Sequence, residues 1–308
     1  MNLSLSTHWN AHRHGSGEAL IEEILGLGLK SVELGYDLTM DLVPGVLSMA
    51  AQGAVAVTSV HNYCPVPLGV PQGHPELFLL TSSEARVRQR AITQTLKTVE
   101  FAAKAGASTV VLHAGRVEMK SLTRQLLSLA DEGLQFQTKY DKTKMKLLLQ
   151  RDKKIKKHLD HLYSALETML PSLEAAGVAL GLEILPSWEA IPSEMEMEQI
   201  ATRFNSPFIR YWYDTGHGRI RENLGLVSSM RWLERLSPHL AGMHLHDVSG
   251  IGHDHLMPPV GDMDFTMLKS FLRENMPLVL EPAPGMPVEM VEEGIQIISE
   301  AFNLPQAG

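Results

Sequence analysis

The 308-residue sequence predicts a (β/α)8 barrel, the TIM-barrel fold, as a single domain with an extended fourth βα connection. Three observations support this. Short apolar, β-branched segments alternate with longer helix-patterned ones, the order in which βα units build a parallel sheet. Eight such segments occur, and the chain length suits eight units with an insertion. Carboxylate and imidazole residues gather at the ends of those segments, where the βα loops of such a barrel converge on one mouth.

In chain order the predicted strands are LSLSTHW (3–9), KSVELGY (30–36), AVAVTSVH (54–61), STVVLHAG (108–115), VALGLEIL (178–185), IRYWYDTG (209–216), AGMHLHD (241–247) and PLVLEPA (277–283). A helix is expected after each. The clearest patterns are GEALIEEILGLGL (17–29), EARVRQRAITQTLKTVEFAAKAG (84–106), HLYSALETMLPSLEAAG (161–177) and VEMVEEGIQIISEAF (288–302), some ending at the glycine that helix C-termini prefer. The connection at 116–157 is longer than usual and predicts an extra helix over the barrel mouth. A doubly wound open sheet is the competing arrangement, but no GxGxxG follows the first strand, which weighs against its dinucleotide-binding form.

Composition narrows the function. With 44% hydrophobic residues the chain can bury a substantial core. No run of about 18 apolar residues occurs, and MNLSLSTHWNAHRH lacks a basic-then-apolar leader profile, so a soluble, cytoplasmic protein without a membrane partner is expected. The single cysteine, Cys64, excludes an internal disulfide and a cysteine zinc cluster; a metal here would need nitrogen and oxygen ligands. The formal charge of −8 disfavours nucleic acid as a partner. The lysine-dense run KYDKTKMKLLLQRDKKIKK (139–157) reads as the solvated face of a helix.

The metal-capable residues fall on one predicted rim. Strand two carries Glu33, strand three ends at His61, strand four at His113, and strand five carries Glu183. Strand six ends in Asp214-Thr-Gly-His217, where a glycine turn can bring both side chains into the mouth. Strand seven carries His244 and His246, and strand eight Glu281. Buried carboxylates are costly unless paired or bound to metal, and Glu183 and Glu281 have apolar neighbours with few basic residues beside them. A divalent cation answers both. Residues two apart on a strand share a face, so His244 and His246 both point inward. Of the two, His244 is read as the ligand and His246 as its support or a substrate contact. Glu183, Asp214, His244 and Glu281 would then suit Mn²⁺, Mg²⁺, Co²⁺ or Zn²⁺. Adding His61, His113, His217, His253 and His255 would supply enough nitrogen for more than one zinc.

The motifs GLEIL with Glu183, YDTGH with Asp214 and His217, MHLHD with His244, HDHLMPPVGDMDF and VLEP with Glu281 fall in order at successive strand ends. Over nearly its whole length the chain resembles the xylose isomerase-like superfamily of (β/α)8 barrels. That group includes sugar isomerases, ketose 3-epimerases, inosose dehydratase-type lyases and endonuclease IV. The resemblance to the epimerase branch implies a metal on Glu183, Asp214, His244 (or His246) and Glu281, with His217 binding substrate and the two glutamates moving the proton. The resemblance to endonuclease IV implies a three-zinc cluster on His61, His113, Glu183, Asp214, His217, His244, His255 and Glu281. There the chain departs from the pattern, carrying His253 where that branch has an Asp, with Asp254 one place away. The expected function is a metal-dependent isomerase or epimerase of a small sugar, polyol or sugar phosphate. A zinc phosphodiesterase and a dehydratase-type lyase are the alternatives, and a non-catalytic sugar-binding barrel is a third class. Trp9, Tyr63, Trp188 and Arg219 are candidate substrate contacts, and a homo-oligomer is left open.

Overall fold

The computed structural model describes residues 3–304. Eight parallel strands close into a barrel in sequential order: β1 (Leu3–Ser6), β2 (Ser31–Leu34), β3 (Ala56–His61), β4 (Thr109–Leu112), β5 (Ala179–Glu183), β6 (Ile209–Asp214), β7 (Leu240–Leu245) and β8 (Leu278–Leu280), which pairs back to β1. Each overlaps its predicted segment. The prediction overran at the C-terminal ends, because the chain there leaves the sheet to build the mouth; Thr7–Trp9, for instance, is already a 3-10 turn.

Alternation along the strands separates two cores. Leu5, Val32, Val60, Val110, Leu180, Met243 and Leu280 belong to the large cluster between the sheet and its helices. The opposite face carries Ser4, Ser59, Val111, Gly181, Trp212, Gly242 and Val279. Trp212 is fully buried there against Val111 and Val279. A Cβ at Gly181 would lie 3.0 Å from its ring, and one at Gly242 would collide with it. The two glycines make room for one large indole, which fills the barrel beneath its mouth.

The helices are α1 (Gly17–Gly26), α2 (Val43–Ala51), α3 (Ala85–Ala105), α4 (Leu122–Asp131), α5 (Thr138–Ala176), α6 (Glu194–Phe204), α7 (Thr215–Asn223), α8 (Ser229–Leu236) and α9 (Val288–Phe302). One connection departs from the expected pattern. Between β7 and β8 the chain forms an antiparallel ribbon, Asp247–Ser249 with His253–Leu256, and a 3-10 stretch, Phe265–Phe271, in place of an α-helix. Pro258 and Pro259 come one residue after the ribbon, and a proline lacks the N–H a helix needs. None of the described helices is long and apolar enough to cross a membrane.

The extended fourth connection is α4 plus the first half of α5. The lysine run is continuous with the 161–177 pattern in one 39-residue helix. Its solvated reading holds for one side only. Tyr140, Leu147 and residues of α4 pack with Ile220 of α7, Leu224 just after it and Val248 of the ribbon, so the insertion lies over the mouth. Arg151 is buried, pairing Glu196 at 2.5 and 2.9 Å and donating to the Trp188 and Ala190 carbonyls.

Candidate metal centre and active site

Glu183 and Asp214 are the last residues of β5 and β6, His244 lies near the end of β7, and Glu281 directly follows β8. All four are buried, as is Glu33. Among the described residues, the ion-pair partners of these carboxylates are imidazoles, with no lysine or arginine.

His244 stands at the centre. Its Nε2 lies 3.1 and 3.2 Å from the two Glu33 oxygens, and Glu33 also accepts from Ser59 Oγ at 2.7 Å. Its Nδ1 lies 3.2 Å from Glu281 Oε2 and 3.6 Å from both Glu183 Oε1 and Asp214 Oδ2, yet makes no hydrogen bond. In the neutral ring, an Nε2–H donated to Glu33 fixes the tautomer and leaves Nδ1 as a lone pair directed at the space between three carboxylates, the carboxylate–histidine–metal pattern. The donor set fits a divalent cation.

His246 faces the same interior but is engaged differently. Its Nδ1 accepts the His255 backbone N–H at 2.9 Å, so a neutral ring carries its hydrogen on Nε2, 2.9 Å from Asp214 Oδ1. It therefore supports Asp214. The same carboxylate caps α7, accepting the His217 backbone N–H at 2.7 Å. Gly216 sits where a Cβ would collide with the His246 ring, which explains the glycine in Asp-Thr-Gly-His.

Two further groups of ligand-type side chains flank the centre: His61, His113 and Glu183 on one side, and His217, His246 and His255 on the other, with both His246 nitrogens already engaged by Asp214 and the His255 backbone. His61 Nδ1 faces the Asn62 carbonyl at 3.1 Å, leaving Nε2 3.4 Å from Glu183 Oε2; His113 Nε2 is 3.1 Å from the same oxygen. His217 Nδ1 lies 3.1 Å from Glu183 Oε1 without a hydrogen bond. His255 directs Nδ1 to the Glu281 carbonyl at 3.1 Å.

His253 joins none of these groups and is exposed. Asp254 Oδ2 instead approaches His217 Nε2, at 4.0 Å. The cause is a bulge. Asp247 and Ser249 pair with Leu256 and His253, so the second strand has one residue more than its partner, and His255 adopts φ 53. Regular alternation would have turned His253 inward with His255; the bulge turns Asp254 in.

The candidate substrate contacts are distributed unevenly. His217 and His246 lie in the centre. Trp188 is packed between the Arg151 and Arg221 guanidiniums, at 5.5 and 5.1 Å. Arg219 pairs with Asp262 at 3.0 Å on the surface. Trp9 and Tyr63 are fully buried, donating to the Met286 and Phe78 carbonyls. Cys64 is buried, and burial raises its thiol well above the usual value.

Burial drives the ionisable groups toward neutrality, and their mutual fields largely reverse this. Burial would raise Glu183, but His113 and His244 hold it well below the usual carboxylate range. Asp214 and Glu33 are lowered in the same way by His217 and His246, and by His244. Burial would lower His61, His244 and His246, yet the carboxylates raise all three; His217 is pushed up to about 9. Glu281 moves the other way, raised by burial and by the Glu183 charge against the pull of His244. The carboxylates thus draw protons onto the imidazoles, supplying positive charge that a divalent ion would supply in their place.

The family model described as the xylose isomerase-like TIM barrel matches residues 21–301. The chain belongs to this family. No curated protein matches the sequence. Among solved structures, this xylose isomerase-like barrel is similar to a 3-keto-D-glucoside 4-epimerase from E. coli, with TM-score 0.70 and 14% identity over 97% of this chain and 99% of that one. It is also similar to a D-tagatose 3-epimerase-like protein, with TM-score 0.68 and 17% identity over 97% and 99%. A third, the IOLI protein with a binding zinc atom, matches with TM-score 0.65 and 14% identity over 98% and 96%.

The sequence placed Glu33 on the rim without a role; the barrel makes it the partner of His244, 211 positions away. His8, Tyr36 and Asp37, which interact beside the centre, were not singled out. Their one signal is position, directly after the first and second strands.

Proposed function

We propose that this xylose isomerase-like barrel is a metal-dependent isomerase or epimerase of a small sugar or polyol. The observation that carries the reading is His244 Nδ1, free of hydrogen bonds among the carboxylates of Glu183, Asp214 and Glu281. Those four residues would hold a divalent ion, of which Mn²⁺, Mg²⁺, Co²⁺ and Zn²⁺ all suit the donors. When bound, it would polarise the carbonyl beside the carbon that exchanges its proton.

The chain's own groups do the rest. Glu183, kept ionised by the surrounding imidazoles, accepts the proton from carbon. Glu281, raised above the ordinary carboxylate value by burial and the Glu183 charge, returns one. His217 binds a substrate oxygen. His246 and Glu33 hold Asp214 and His244 in register. The resemblance to structures named as sugar epimerases supports the same reading.

The test is solvent exchange. With saturating Mn²⁺ in D₂O, D-tagatose or D-psicose incorporates deuterium at the carbon beside its carbonyl, followed by NMR. Glu183→Gln and Glu281→Gln each lower that rate at least about 100-fold, the low end of acid–base contributions. Exchange at the wild-type rate in both variants contradicts the proton-transfer roles.

A second reading, a zinc phosphodiesterase, is favoured by the two flanking histidine groups. It ranks lower because the net charge is −8 and Arg151, in the middle of the basic run, is spent on Glu196. Zinc-dependent cleavage of abasic-site DNA would reverse that order. A dehydratase-type lyase would use the same carboxylates and differs in releasing water from the substrate.

A further inference from the structure

The loops after β1 and β2 build a second feature at the mouth, which the proton-transfer reading does not use. The Gly35 N–H donates to Thr7 Oγ1 at 2.8 Å. A Cβ on Gly35 would lie 2.9 Å from the His8 nitrogen and 2.8 Å from Asp37 Oδ1, so glycine is what lets the two loops meet. His8 bridges them, with Nδ1 2.9 Å from Asp37 Oδ2 and Nε2 2.9 Å from the Tyr36 hydroxyl. The Tyr36 ring then packs edge-on against His61 at 5.1 Å, and His61 faces Glu183. Tyr36 therefore borders the candidate metal centre.

Bond directions follow from the donor inventory. An ionised Asp37 only accepts, so His8 Nδ1 carries the hydrogen. In the neutral ring Nε2 is then a lone pair, and Tyr36 must donate its O–H to it. The tyrosine oxygen is left with lone pairs and no hydrogen for a ligand. A hydroxyl group satisfies such an acceptor. A phosphate or carboxylate oxygen, having no hydrogen to give, would set lone pair against lone pair there.

We propose that Tyr36, oriented by His8 and Asp37, accepts a hydrogen bond from a substrate hydroxyl and selects free ketoses or polyols over their phosphate esters. This rests on reading the mouth as a sugar site. Tyr36 is the contact; His8 and Asp37 are positioning residues.

The test is calorimetric titration of the Mn²⁺-loaded protein at pH 8 with D-tagatose, D-psicose and L-ribulose, and with their terminal phosphate esters. At least one free ketose binds, more tightly than its ester. Tyr36→Phe keeps the ring against His61 and weakens that binding about 5- to 10-fold, the worth of one neutral hydrogen bond, with metal content and melting temperature unchanged. His8→Ala weakens it similarly, and the double variant is no worse than Tyr36→Phe alone, as expected if His8 acts only through the hydroxyl. The proposal is overturned if no free ketose binds, if the esters bind more tightly, if Tyr36→Phe binds like wild type, or if that variant loses its metal. Binding with these effects but without deuterium exchange would leave the hydroxyl contact standing and remove the proton-transfer reading.

Discussion

His244 shows how one side chain is specified from several directions. Its ring stacks on His61 at 5.7 Å and meets the edge of Trp212 at 5.0 Å, so packing fixes its plane before any hydrogen bond does. Glu33 then fixes the tautomer. A neutral amide at position 33 can still bond one nitrogen, but it no longer supports a positively polarised imidazole. Glu33→Gln is expected to weaken Mn²⁺ binding about 10- to 100-fold, the usual effect of losing such a support, measured by metal titration. Unchanged affinity would show that Glu33 serves only to bury His244. The sequence could name both residues but not the bond between them, because the barrel has to close before β2 and β7 share an interior.

At the scale of elements, the strands were legible because apolar, β-branched runs are local signals. Their C-terminal ends were not, since the turn into a loop depends on contacts made elsewhere. The ribbon after β7 makes the same point: a bulge reassigns Asp254 and His253, and nothing in HDHL announces it. In α5 the hydrophobic pattern thins to the narrow stripe Tyr140, Thr143, Leu147 and Arg151, which is why the lysine run read as solvated. Arg151 ties that stripe to α6 through Glu196, the residue that also completes the capping box of Ser193. Arg151→Ala would strand a buried carboxylate, and we expect a loss of about 3–5 kcal/mol in urea unfolding. A loss below about 1 kcal/mol would place the pair among ordinary surface bridges.

Across the whole molecule, the barrel gathers side chains that are far apart in sequence into one buried, acidic, imidazole-lined mouth above the Trp212 plug. The acidic net charge and the single buried cysteine were readable directly and agree with an oxygen- and nitrogen-lined centre. The resemblance seen in successive strand-end motifs agrees with the family match over residues 21–301. What composition and pattern could not supply was how the histidines divide between holding carboxylates and turning a free ring nitrogen toward the candidate metal centre; that follows from which ring nitrogen each backbone carbonyl and carboxylate engages. The most direct measurement is an anomalous difference map from crystals grown with Mn²⁺. The account predicts a peak bounded by Glu183, Asp214, His244 Nδ1 and Glu281. A map with no peak there, or with Mn²⁺ bound only away from those four side chains, would contradict it.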